Sequence, residues 1–229
     1  MPVIQTVPTT LYKYFPPERI SVLENLEIRF SRPSEFNDAF DTHYLVPTSQ
    51  GSPAIRERMR LKNKIGIFCL TERADNHLMW VHYAQNHTGF VLGFNASASF
   101  FRENNRVLGK VNYLNHPKVF GEAGVNVCFY KSDKWEYEQE WRCVRSFDVS
   151  ESRVVGIEPS LISQIILGSQ MEPWQITRIV QYADAYEMVH VQFFRSFPSH
   201  KSWTFENKRK VMSVCSKCSG DGYLTEDDP

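Results

Sequence analysis

Between residues 65 and 94 the chain spells out a strand, a capped helix and a second strand with little between them. This stretch constrains the fold more than any other. Ile65-Gly66-Ile67-Phe68-Cys69-Leu70-Thr71 is an apolar run of strand length, and its β-branched and aromatic content favours a buried strand. Asp75 or Asn76 can accept hydrogen bonds from the first free N–H groups of a helix running through Leu78, Met79, Trp80, Tyr83, Ala84 and His87. Gly89 stands where a helix C-cap glycine belongs, and Phe90-Val91-Leu92-Gly93-Phe94 follows as the next strand.

The flanking sequence extends the same pattern. Thr9 to Phe15 reads as a first strand stopped by Pro16-Pro17, and a short helical stretch carries Ile20, Leu23 and Leu26. Glu27 to Ser31 alternates as a strand, and Pro33 to Asp38 has turn chemistry. Residues 48 to 63 are polar and basic, as in a surface helix or loop. Val111 to Tyr113 and Val125 to Tyr130 are expected strands. Ile165 to Gly168, a helix over Pro173 to Tyr186, and Val189 to Phe193 read as strand–helix–strand. The expected class is α+β, a mixed or antiparallel sheet with flanking helices. Phe68, Leu70, Leu92, Phe94, Val144, Ile166 and Val191 are its expected core.

Composition sets further bounds. A chain of 229 residues, 42% hydrophobic, can bury a substantial core. Lys plus Arg equals Asp plus Glu, 26 each, so no global field draws nucleic acid or an anionic membrane. No run of roughly 18 apolar residues is present, and the N-terminus has no leader-like pattern. A cytoplasmic protein without a membrane partner is expected. Cys69, Cys128 and Cys143 lie singly in apolar runs and read as buried thiols. A single domain over 1–200 is expected, followed by a basic, polar and partly flexible tail over 201–229. That tail holds Cys215-x-x-Cys218, but no second ligand pair completes a structural zinc site. Phosphate-loop, dinucleotide-fingerprint, zincin and nucleophile-elbow patterns are all absent from the sequence.

The chemistry-bearing segment is Trp135-Glu136-Tyr137-Glu138-Gln139-Glu140-Trp141-Arg142, three carboxylates and three large aromatics in eight residues. If extended, it would set Glu136, Glu138 and Glu140 on one side and the aromatics on the other. Like charges in a row belong at a wet rim or in a polar cleft, with Lys131, Lys134 and Arg142 as counter-ions. A carboxylate held beside aromatic walls suits acid–base work or stabilisation of a cationic transition state.

Three motifs carry a resemblance. Leu11 to Tyr14 with Ile28 to Pro33 and Phe36-Asn37-Asp38 resembles the opening of a bacterial family catalogued as domain of unknown function 2971. Met79 to Ala84 with His87 to Phe90 is similar to its central motif, and Lys134 to Arg142 to its third. The resemblance spans roughly residues 9 to 195. A more distant resemblance is to ADP-ribosyltransferases, which present in order an early basic or Tyr position, a Ser or Thr on a middle strand, a helical aromatic, and a late [Glu/Gln]-x-Glu.

That second resemblance implies NAD as substrate, an acceptor of unknown class, and a bacterial toxin or phage-defence role. Tyr12 would grip the NAD ribose, Thr71 would support Tyr12, and Tyr83, with Trp80 nearby, would wall the nicotinamide. Glu140 would bind the ribose 2′-hydroxyl, and Glu138 would serve the acceptor. Trp80 and Tyr83 at helical spacing also suit a core. Two other readings stand beside the enzyme: a non-catalytic module holding nucleotide or RNA, and a metal-dependent nuclease using Asp38, Glu136, Glu138 and Glu140.

Overall fold

The Asn76 cap forms as its chemistry dictates. In a computed structural model describing residues 6–38, 40–41, 63–116, 125–214 and 222–226, with side chains as far as residue 208, its Oδ1 accepts from Leu78 N–H at 3.0 Å and Met79 N–H at 3.4 Å. In chain order the main elements are β1 (Thr10–Phe15), α1 (Ser21–Asn25), β2 (Glu27–Arg29), β3 (Ile65–Thr71), α2 (His77–Tyr83) and β4 (Phe90–Asn95). There follow β5 (Val107–Lys110), β6 (Asn112–Leu114), β7 (Tyr130–Ser132), β8 (Glu140–Ser146), β9 (Val154–Gly156) and β10 (Ile162–Leu167). The last are α3 (Pro173–Ala185), β11 (Gln192–Pro198), β12 (Phe205–Val214) and β13 (Gly222–Glu226). The expected segment 48 to 63 lies almost wholly outside the described residues.

The chain divides into two units of internal contact. The first takes Arg29–Glu72 and Ser97–Val155 as its main segments. In it β3 pairs antiparallel with β8 from Ile65↔Ser146 to Thr71↔Glu140, and β5 pairs with the other side of β8. β6 and β7 form a short parallel pair. Ile65, Ile67 and Val144 pack with Val127, Cys128 and Phe129 into one apolar cluster. Those last three come from a segment expected as a strand. Val125–Phe129 is instead a 3-10 helix, which turns three consecutive side chains inward where a strand would alternate.

The second unit takes Pro8–Ile28, Arg73–Ala96 and Gly156–Pro229. Its strands run in the order β13-β12-β11-β10-β4-β1. β10 and β11 are parallel, joined through α3 as the strand–helix–strand pattern indicates, and the neighbouring pairs are antiparallel. Ile179, Val180 and Ala183 give α3 its buried stripe. β12 and β13 lie in the segment that composition marks as a tail, and β12 pairs along β11 from Phe193↔Lys210 to Pro198↔Phe205. Cys215 and Cys218 are outside the described residues.

The α+β class holds, with a mixed sheet, and all seven expected core residues are 8% exposed or less. Val189 does not start β11 and is 88% exposed. α2 ends at Tyr83, earlier than expected, because Gln85, Asn86 and His87 take positive φ of 45°, 53° and 68°. Gly89 is therefore not a helix cap. Its constraint is close approach: a Cβ there would meet Phe15 O at 2.1 Å. Gly89→Ala should then cost about 1–3 kcal/mol, read as a lowered urea midpoint at unchanged m-value.

Candidate active site

The acidic run is not extended. Ser132 Oγ accepts from Lys134 N–H and starts a 3-10 helix, Asp133–Glu138, which closes at Gln139 with φ 44°. β8 begins only at Glu140. The expected row of three carboxylates on one side is thus broken: Glu136 is exposed, whereas Glu138 and Glu140 are 3% and 4% exposed. The β3–β8 register places Thr71 opposite Glu140, and Thr71 Oγ1 donates to the carbonyl oxygen of Glu138 at 2.5 Å. The N–H of Glu140 donates to the Tyr113 hydroxyl at 2.8 Å. Beside this point Glu72 Oε1 accepts from Lys110 Nζ and Trp141 Nε1, both at 2.7 Å, which fixes Trp141 in the packed interior.

Two cations meet the carboxylates. Arg142, fully buried, donates from Nε to Glu140 Oε1 at 2.7 Å and from Nη2 to Glu140 Oε2 at 3.0 Å. Its Nη1 and Nη2 also clasp Asp41 Oδ1 and Oδ2 at 2.9 and 2.5 Å, and Nη1 reaches Cys128 O at 2.7 Å. Lys131 Nζ lies 2.5 Å from Glu138 Oε2, 3.1 Å from Glu140 Oε2 and 4.0 Å from Asp41 Oδ2. Lys131 and Arg142 are thus the counter-ions that the sequence suggests, though in a buried site rather than at a rim. Lys134 pairs with Asp133 instead.

The electrostatics follow from burial opposed by pairing. Burial alone would raise the Glu140 carboxyl, but Arg142 and Lys131 outweigh it and hold the group down to about 2. Burial would lower Lys131, and Glu140 and Glu138 outweigh it and raise the ammonium. At Asp41 burial wins over Arg142, and its carboxyl is raised. Burial also pushes the Cys128 and Cys143 thiols up to about 12, which suits the inert buried thiols expected there.

Of the residues singled out in the sequence, the first unit holds Thr71, Glu138 and Glu140, and brings them together. Tyr12, Trp80 and Tyr83 lie in the second unit. Tyr12 is half-buried, with its hydroxyl donating to Gln164 Oε1 at 3.1 Å. Thr71, expected to support Tyr12, spends its hydroxyl on Glu138 O. Trp80, expected on a cofactor wall, is fully buried. Its indole N–H donates to Ala74 O at 3.2 Å, and its ring packs edge-on against Tyr14 at 5.2 Å and along His87 at 5.9 Å, so it serves the core. Tyr83 is half-buried at the end of α2.

Asp41 and Tyr113 escaped the sequence reading. Asp41 lies at a turn, its N–H donating to Asp38 O, so no periodicity marks it. Tyr113 was visible only as one residue of a short strand. Asp38 belongs to a turn, its Oδ1 accepting from Phe40 N–H. Among the described residues no three His, Cys, Asp or Glu side chains are grouped to hold a metal. No described helix is long and apolar enough to cross a membrane.

Comparison with known proteins finds similarity to a family and to a solved structure. The model of a family described as a protein of unknown function, DUF2971, matches residues 79–143, a stretch that includes Glu138 and Glu140. No curated protein sequence matches the chain. Among solved structures, Thermus sp. 2.9 DarT in complex with NAD+ is similar at 12% identity and a TM-score of 0.39, over 80% of this chain and 92% of that one.

The charge network makes stability depend on pH in a defined direction. Glu140 is depressed in the fold, so its contribution is complete above the ordinary carboxylate range and is lost as pH falls through about 2. Lys131 is raised, so its contribution is complete below the ordinary lysine value and is lost only as pH climbs beyond that value. Glu140→Gln, which takes one buried carboxylate partner from both Arg142 and Lys131, should cost about 3 kcal/mol at pH 7. Urea unfolding at pH 7 and pH 3 should show the gap between the wild type and this variant narrowing in acid.

Proposed function

We propose that this protein cleaves the nicotinamide–ribose bond of NAD and passes ADP-ribose to an acceptor. The observation that carries the reading is the Thr71↔Glu140 pair, with Thr71 Oγ1 bonded to the Glu138 carbonyl. It unites in one sheet the middle-strand Thr and the late Glu-x-Glu whose order resembles ADP-ribosyltransferases. The chemistry suits what is gathered there. Breaking the bond develops an oxocarbenium ion, and a carboxylate kept ionised and fixed in a site shielded from water stabilises that charge as it forms. Glu138 is fixed there by Lys131, and Glu140 beside it is held ionised by Arg142 and Lys131.

Incubating the pure protein with NAD, labelled in turn on the nicotinamide and on the adenylate, together with cell extract, tests the reading. Nicotinamide release with label transferred to one acceptor fraction is the expected result. Glu138→Gln should reduce release by about 10²-fold or more, the scale of losing one stabilising group at a developing charge. NAD binding without any release would leave a nucleotide-binding module in its place, and divalent-cation-dependent strand cleavage would point to a nuclease.

A further inference from the structure

The 3-10 helix Asp133–Glu138 has a second property beyond breaking the row of glutamates. With three residues per turn, Trp135 and Glu138 stand one above the other, while Asp133 and Glu136 share another face. Lys131 Nζ lies 4.8 Å from the centre of the Trp135 ring, and the Trp135 and Tyr137 rings are 6.0 Å apart. Both rings are partly exposed. Burial raises the Tyr137 hydroxyl and the nearby Glu138 charge adds to the shift, so hydroxyl and carboxylate are electrostatic neighbours.

These contacts join a partly exposed pair of rings to a buried charge cluster. Trp135 and Tyr137 are the partly exposed members, Lys131 links the Trp135 ring to Glu138 and Glu140, and all three charged groups are buried with Arg142. Glu140 is engaged through both of its oxygens. Its Oε1 accepts from Arg142, and its Oε2 accepts from both Arg142 and Lys131. A carboxylate so committed cannot take a ribose hydroxyl without losing a buried ion pair.

We infer that Trp135 and Tyr137 form the aromatic wall for the nicotinamide–ribose end of NAD, that Glu138 is the carboxylate facing it, and that Glu140 is a positioning residue acting through Lys131. This rests on the NAD reading above. A flat cationic ring is attracted to the faces of Trp and Tyr. In the reaction the bond between nicotinamide nitrogen and ribose C1′ breaks and its electron pair leaves with nicotinamide. The oxocarbenium at C1′ is held against Glu138. An acceptor hydroxyl, or water, then donates an oxygen lone pair to C1′, and its proton passes to Glu138 and on to solvent.

Calorimetric NAD binding and nicotinamide release test the inference together, with a thermal melt on each variant. Trp135→Leu and Tyr137→Leu should each raise the Kd for NAD tenfold or more with little change in Tm. Trp203→Ser, at a ring 93% exposed in the second unit, should change neither. Glu138→Gln should keep the Kd near the wild-type value and lower kcat about a hundredfold. Glu140→Gln should lower Tm, and it should also move the acid limb of the pH–rate profile to lower pH. Removing that anion leaves Lys131 to act on Glu138 alone, an effect that a merely structural role would not produce. A wild-type Kd in Trp135→Leu, or a wild-type kcat in Glu138→Gln, overturns the inference while NAD turnover stands. Absence of NAD binding by the wild type overturns both readings.

Discussion

A guanidinium buried at the centre of the first unit sets the terms for everything around it. Arg142 has five N–H donors, and taking them from water without replacement would cost several kcal/mol. All five are answered: Nε by Glu140, and the two terminal nitrogens by Asp41, Glu140 and Cys128 O. The partners come from distant parts of the chain. Asp41 lies 101 positions away in sequence, Cys128 belongs to the 3-10 helix before β7, and Glu140 opens the same strand. β8 carries both Arg142 and Glu140 and pairs in register with β3, which puts Thr71 opposite Glu140. The candidate site thus forms where the satisfied cation and the strand pairing meet.

Lys131 extends the set outward. Against Arg142 alone, Glu140 would be a closed ion pair. With Lys131 also touching Glu138, the two glutamates share a cation, and the charge state of one bears on the other. The 3-10 helix supplies the step between them, because Gln139 in a left-handed conformation turns the chain before β8 begins. Thr71 locks that turn from the neighbouring strand. The arrangement sets Glu138, paired with Lys131, on the same 3-10 helix as the partly exposed rings of Trp135 and Tyr137.

The sheet was legible because its strands are long, apolar and well punctuated. Phe68, Leu70, Leu92 and Phe94 need burial wherever they sit, and Asn76 is a cap by its own chemistry. The acidic run was legible as important but not in shape. Alternation is a rule for strands, and nothing in Trp135 to Glu140 announces that Ser132 will cap a 3-10 turn there. Trp80 shows the opposite limit. Helical spacing put it on a face, and only its partners, Ala74 O and the rings of Tyr14 and His87, show that this face is core. Asp41 could not be found from sequence, since its role is defined by a residue 101 positions away. β12 was read as tail because Lys208-Arg209-Lys210 is charged, yet charge on a strand is compatible with pairing and is common near sheet edges.

Stability alone does not account for so many buried charges. Apolar residues of similar volume commonly hold a core as well as a buried ion set, or better, because they carry no desolvation cost. Between β3, β8 and the segment Val125–Phe129, where Ile65, Ile67 and Val144 already pack tightly, such residues would fit the surroundings. What an apolar set could not do is hold a cation against both Glu138 and the Trp135 ring. Each cation also meets a ring: Arg142 binds Glu140 and Asp41 and lies 5.5 Å from the centre of Phe36, and Lys131 binds Glu138 and lies 4.8 Å from that of Trp135. The reaction proposed above, in which one carboxylate meets a cationic sugar while a second acts on the lysine between them, makes use of both glutamates and of Lys131.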